Sequence, residues 1–201
     1  AVLADFDPFI QTHTRLKALK ENGHATDKIE IIVNGGTWSA HPKYYQTWYI
    51  KRIFEACNDY SQNAREDRIE YLDVKKAIQE KLSQKLPIEE IMFTADDSRI
   101  MAELQNEQII NETAKNRIIG ITLETRPDFI NPEEIKRMRL LGATKVEIGV
   151  QNIYPEILEL NRRGHGIAEV IRATKLLKDA GFKVAYHIMP GMYGSSPEQD
   201  I

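Results

Sequence analysis

From residue 118 onward, strand and helix signals alternate at short intervals, and that rhythm constrains the fold more than any other feature of the chain. Residues 118–124 read as a strand, and Asn131-Pro132-Glu133-Glu134 carries the marks of a capped helix start. Ile135, Met138 and Leu141 then face inward before Gly142. A second strand spans Lys145–Gln151, followed by a short helix near Pro155–Leu160. A longer helix places Ile167, Val170, Ile171, Thr174 and Leu177 together and stops at Gly181. Residues 183–189 form a further strand that ends in Pro190-Gly191. Strands linked through helices favour a parallel sheet with helical crossovers.

The N-terminal part adds one more such unit. Asp7-Pro8 is a helix start, with Phe9, Leu16 and Leu19 on its buried side and Gly23 at its end. In residues 28–34 the apolar Ile29, Ile31 and Val33 alternate with Glu30, Ile32 and Asn34, and the strand runs into Gly35-Gly36-Thr37. Pro42 opens a helix with Tyr45, Trp48, Tyr49, Arg52, Ile53 and Ala56 on or near one side. The charged stretch 61–116 is helical in composition. Its apolar stripes would be Ile69, Leu72 and Ile78, then Ile100, Leu104 and Ile109. It reads as a helical insertion over 61–111, either a solvated excursion or a surface for RNA or a partner protein.

The strands decide between sheet architectures. Ile119, Ile121 and Leu123 oppose Gly120, Thr122 and Glu124; Val146, Ile148 and Val150 oppose Glu147, Gly149 and Gln151. A doubly wound sheet buries both strand faces and shows near-continuous apolar runs. A polar or small face on each strand favours a partial barrel, with helices outside and a ligand within. The strand ends then bring Gly35-Gly36-Thr37, Glu124 to Pro127, Gln151 and His187 to Gly191 to one rim.

Charge and cysteine content narrow the chemistry. A net charge of −3 gives no global attraction to nucleic acid, so such contact needs a local basic face. The single cysteine, Cys57, excludes an internal disulfide framework or a multi-cysteine metal site built from this chain alone. The apolar runs, such as Ile31 to Val33, are far too short to cross a bilayer, and the expected location is cytoplasmic.

Several side chains carry two readings. Gly35-Gly36 either lets backbone approach a ligand closely or makes a turn. Glu124, Glu147 and Gln151 supply acceptors for ammonium and hydroxyl groups, or Glu124 closes an ion pair with Arg126 or Arg163. His187 faces inward as a ligand contact or as a satisfied structural group. His165, after two arginines, meets a phosphate or stays in a solvated loop. Arg162, Arg163, Arg172, Lys175 and Lys178 form a basic patch or an ordinary exposed helix face balanced by Glu169 and Asp179.

Gly35-Gly-Thr37, Glu124-Thr-Arg-Pro127, Glu147-Ile-Gly-Val-Gln151, Arg163-Gly-His165 and Lys178-Asp-Ala-Gly-Phe-Lys183 occur in this order. Together they resemble the radical S-adenosylmethionine domain of the Elongator catalytic subunit family. Asp7-Pro8-Phe9 with Gln11-Thr12, and His187-Ile-Met-Pro-Gly191, are similar to the same family. The resemblance covers 1–60 and 112–201.

It implies a partial TIM-type (β/α) barrel of the radical SAM kind, binding S-adenosylmethionine beside a four-iron, four-sulfur cluster. A 5′-deoxyadenosyl radical would abstract hydrogen from the acetyl group of acetyl-CoA, and the product would add to C5 of the wobble uridine of tRNA. Gly35, Gly36 and Thr37 would meet the methionine amino and carboxylate groups. Glu124, Gln151 and Arg163 would hold ribose and methionyl moieties, with Arg126, Glu147 and His187 also among the cofactor contacts. Arg162, Arg163, Arg172 and Lys175 would meet tRNA. No catalytic residue or metal ligand is assigned. Family members carry a three-cysteine cluster loop and a C-terminal GNAT-type acetyltransferase domain, and neither occurs in this sequence. The chain is therefore expected to be an inactive fragment of the domain, with Elongator-type subunits as partners if eukaryotic. Alternatives are a radical enzyme of the coproporphyrinogen oxidase type and a non-catalytic tRNA-binding scaffold.

Overall fold

The computed structural model describes residues 7–60 and 97–200. The expected stripe Ile69, Leu72 and Ile78 lies outside the described residues. The chain divides into two compact units, Ala1–Ile29 with His41–Ile119 and Glu30–Ala40 with Gly120–Ile201.

The first unit is helical. Helix α1 (Pro8–Glu21) starts as the Asp7-Pro8 pair requires: the Asp7 carboxylate accepts from the Phe9 N–H at 2.8 Å, and proline fills the first helical position. Helix α2 (Lys43–Asp59) is buried nearly all round, holding Trp48, Ile50, Ile53, Phe54, Ala56 and Cys57 together with Gln46, Thr47, Lys51, Arg52 and Asn58. That differs from the expected one-sided stripe. Tyr45 and Tyr49 are only half-buried, while polar residues line the far side where α3 (Asp97–Asn111) packs.

The seam between α2 and α3 is built from hydrogen bonds as much as from apolar contact. Thr47 Oγ1 donates to Asp97 at 2.7 Å, Lys51 reaches Glu103 at 2.9 Å and Glu55 at 3.2 Å, and Asn58 Nδ2 donates to Glu107 at 2.8 Å. Asn111, 2% exposed, donates to Asn58 at 2.6 Å and accepts from the Ile118 N–H at 2.8 Å. Ile100 and Leu104 are buried as expected, but Ile109 is 65% exposed. Nine residues beyond Ile100 is two and a half helical turns, which puts Ile109 on the opposite side.

The second unit carries most of a four-stranded sheet in the order β1-β2-β3-β4: Lys28–Val33, Arg117–Thr125, Lys145–Gln151 and Lys183–Ile188. β2 pairs parallel with β3, Glu124 opposite Glu147, and β3 pairs parallel with β4, Gly149 opposite His187. Val146, Ile148 and Val150 are at most 2% exposed and form the greasy face of β3. The crossover after β2 is α4 (Pro132–Leu140), capped by Asn131 and burying Ile135, Met138 and Leu141. The crossover after β3 comprises α5 (Pro155–Leu160) and α6 (Ile167–Asp179).

In α6 the buried stripe is Val170, Ala173 and Leu177, and Ile171 is 65% exposed. The small Ala173 lets the helix approach the sheet, displacing the stripe from the bulkier Ile171. Thr174 keeps a polar contact instead, at 2.8 Å from the Tyr186 hydroxyl. The parallel strands with helical crossovers are those of a partial α/β barrel. No helix among the described residues is long and apolar enough to cross a membrane.

Candidate functional site

A cavity of about 310 Å³ opens in the second unit, lined by Gly36, Thr37, Glu124, Thr125, Arg126, Gly149, Gln151, Arg162 and Arg163. Its size is that of a small-molecule site. Six of the residues singled out as cofactor contacts therefore meet there, and Arg162 joins them.

Each wall has a local cause. After β1 the chain turns through Gly35 (φ 115°) and Gly36 (φ 72°), a left-handed pair that bulkier residues adopt only under strain. The Thr125 hydroxyl donates to Ser39 Oγ at 2.8 Å, tying the segment after this turn to the end of β2. Arg126 is clamped by both oxygens of Asp128, each at 2.9 Å. A β-carbon on Gly164 (φ 71°) would lie 2.8 Å from Arg126 Nη2, so a bulkier residue there would be strained and would displace the guanidinium.

Gln151 closes β3 in the left-handed region, φ 69°, at a cost of about 1–3 kcal/mol for a residue other than glycine. Its side chain folds back over Gly149, where an added β-carbon would lie 2.9 Å from Gln151 Nε2. A glycine inside a buried strand is the sequence signal for such a close approach; Gly149 stands within the Glu147–Gln151 motif but, like Thr125, had no site role assigned to it.

The charges are unevenly answered. Glu124 pairs with neither Arg126 nor Arg163. Its Oε1 lies 3.1 Å from His187 Nδ1, while Asp128 takes Arg126. His187 Nε2 lies 2.7 Å from Glu147 Oε2, and Glu147 Oε1 accepts from Lys145 Nζ at 2.6 Å. Hydrogen bonding from Lys145, joined by that from His187, holds the Glu147 carboxyl below its ordinary value although burial opposes this. Glu147 and His187 thus stand behind Glu124 and do not line the cavity. Arg162 and Arg163 have no carboxylate partner among the described residues. Two buried polar atoms of the cavity walls, Gln151 Oε1 and Arg163 Nε, have no hydrogen-bond partner.

The remaining candidates lie apart from the cavity. His165 is 8% exposed, with Nε2 3.3 Å from the Val150 carbonyl, so it is a packed residue rather than a solvated one. Arg172 donates to the Ile130 carbonyl at 2.6 Å, and Lys175 is exposed one turn further along α6. No group of His, Cys, Asp and Glu among the described residues suits a metal ion.

Cys57 does not fit as a cluster ligand. It is fully buried, and burial pushes its thiol up to about 12, whereas clusters are held by converging thiolates. In the folded chain Cys57 is expected to resist alkylation by iodoacetamide at neutral pH for hours and to react within minutes in denaturant. Rapid native labelling, followed by mass spectrometry, would contradict this.

A parallel barrel segment with a glycine turn and polar strand ends around one cavity is the frame of a barrel enzyme, whose chemistry lies at the C-terminal strand ends. The chain belongs to the radical SAM superfamily, whose family model matches residues 57–200. That family works with S-adenosylmethionine and a four-iron, four-sulfur cluster. Among its relatives, the tRNA uridine(34) acetyltransferase of Methanocaldococcus infernus is 43% identical over 199 residues, 99% of this chain and 30% of that protein. Human Elongator complex protein 3 is 31% identical over 201 residues, all of this chain and 30% of that protein. The solved structure of the archaeal Methanocaldococcus infernus Elp3 with an N-terminal deletion superposes with a TM-score of 0.75. It is 41% identical, covering 98% of this chain and 37% of that one. The chain spans about 30% of the length of these relatives.

Proposed function

We propose that this chain is the S-adenosylmethionine-binding core of an enzyme that builds carboxymethyl-type groups on the wobble uridine of tRNA, with acetyl-CoA as co-substrate. The observation that carries the cofactor reading is the pair of orphaned buried atoms, Gln151 Oε1 and Arg163 Nε, on the walls of one cavity. A buried acceptor and a buried donor left unpaired are costly, and a ligand with a hydroxyl or ammonium at one end and a carboxylate at the other answers both. S-adenosylmethionine has those groups. The tRNA reading rests on the names of the relatives.

On this reading Arg163 donates to the methionyl carboxylate, Gln151 and Glu124 accept from ribose hydroxyls or the amino group, and the Gly35-Gly36-Thr37 turn offers backbone and hydroxyl groups. Arg126, fixed by Asp128, shapes the rim. S-adenosylmethionine supplies hydrogen-abstracting radical chemistry when bound and reduced. Cys57 has no part in that reduction. Arg162, with Arg172 and Lys175 on α6, gives tRNA phosphates a cationic approach.

Isothermal titration tests the cofactor reading. The chain is expected to bind S-adenosylmethionine, and Arg163→Met to weaken it about tenfold or more, the loss of a charged hydrogen bond. Undiminished affinity in Arg163→Met would sink the assignment.

A further inference from the structure

Lys145, Glu147, His187 and Glu124 form a line across three adjacent strands, with separations of 2.6, 2.7 and 3.1 Å. Only the last of them reaches the cavity. An ionised carboxylate only accepts hydrogen bonds, and a neutral imidazole has one donor and one acceptor nitrogen. Both nitrogens of His187 can therefore be satisfied together only when both carry hydrogen. The line then reads cation, anion, cation, anion.

We propose that Lys145, Glu147 and His187 are positioning residues that fix the orientation of the Glu124 carboxylate at the cavity, and that the line holds only while His187 is protonated. This rests on the cavity being the S-adenosylmethionine site. Glu147, itself held by Lys145, occupies one nitrogen of His187, which commits the other to Glu124. When the imidazole loses its proton, a lone pair faces a carboxylate and one contact must open. The longer one, to Glu124, is the weaker, so the cavity loses its fixed acceptor. The ionisable groups around His187 are Glu147 and Lys145 from β3, Glu124 from β2, and Lys183, four residues earlier on the same face of β4. Glu30 of β1 flanks Gly120 on β2, and Arg126, Arg162 and Arg163 border the cavity. α6 meets β4 through Thr174 and Tyr186, on the alternate face.

Two measurements on the chain test this. Ring ¹⁵N shifts of His187, assigned with His187→Gln, are expected to show the doubly protonated form in the wild type wherever the contact to Glu124 is kept. That fraction should fall in Glu147→Gln, whereas Lys145→Met, which removes a neighbouring cation, should shift it the other way. Affinity for S-adenosylmethionine is expected to fall about five- to tenfold in Glu147→Gln. In the wild type it should decline as rising pH strips the second proton from the His187 ring, followed by the same ¹⁵N signals, and this decline should be absent from His187→Gln once the ligand's own titration, common to both, is subtracted. An unaltered His187 ring in both Glu147→Gln and Lys145→Met overturns the proposal whatever the ligand does. A wild type that binds no S-adenosylmethionine while the ring still responds upholds the line and overturns the reading of the cavity. Unchanged affinity in Glu147→Gln, with binding intact in the wild type, overturns the positioning of Glu124.

Discussion

Replacing Arg52 by methionine is expected to destabilise the helical unit by about 3–5 kcal/mol, because it strands a buried carboxylate. The Asp7 side chain is 1% exposed and lies 3.3 Å from Arg52 Nη2, whose own side chain is 5% exposed. Arg52 also pairs with Glu55 at 2.7 Å and sits 4.6 Å from the centre of the Phe9 ring. Glu55 keeps Lys51 as a partner when Arg52 is lost; among the described residues Asp7 keeps only the Phe9 N–H. Urea denaturation of Arg52→Met should show the loss, and Asp7→Asn in the same chain should return more than half of it. Asparagine still caps α1 without demanding a counter-charge. Equal stability of the single and double variants would mean that the buried ion pair is not what fixes α1 to α2.

The second large effect separates binding from folding. Gly149→Ala places a methyl 2.9 Å from Gln151 Nε2, the free end of a flexible side chain. The glutamine can swing away, so folding stability should change by no more than about 1 kcal/mol. Its amide would leave the cavity wall, and affinity for S-adenosylmethionine should drop between about ten- and a hundredfold. Denaturation and calorimetry on the same preparation check both halves. Full affinity in Gly149→Ala would remove Gln151 from the binding site.

Strand ends and helix starts were legible in the sequence because their signals are local. Asp7-Pro8, Asn131-Pro132 and the glycines after the helices each act within a few residues. The alternation on β2 and β3 likewise announced a lined cavity. Phase was harder. Ile109 and Ile171 are as apolar as their buried neighbours, yet Ile109 lies two and a half turns beyond Ile100 and Ile171 yields the buried stripe to the smaller Ala173. Partner choice was harder still: Glu124 had Arg126 near in sequence, yet parallel pairing set it opposite Glu147, and its carboxylate meets His187, sixty-three residues away in the chain. Composition also conceals a polar core, and nothing in Thr47, Asn58 or Asn111 taken singly marks them as buried.

The polar seam between α2 and α3 has a consequence for how those helices tolerate change. Apolar surfaces attract almost regardless of alignment, but hydrogen bonds such as Thr47 to Asp97 and Asn58 to Glu107 exist at one axial setting. Slipping α3 by one turn, about 5.4 Å, would forfeit these bonds together. The seam therefore works as an address more than as an adhesive. Leucines in its place would grip harder and discriminate less, and surviving substitutions on one helix should come paired with substitutions on the other.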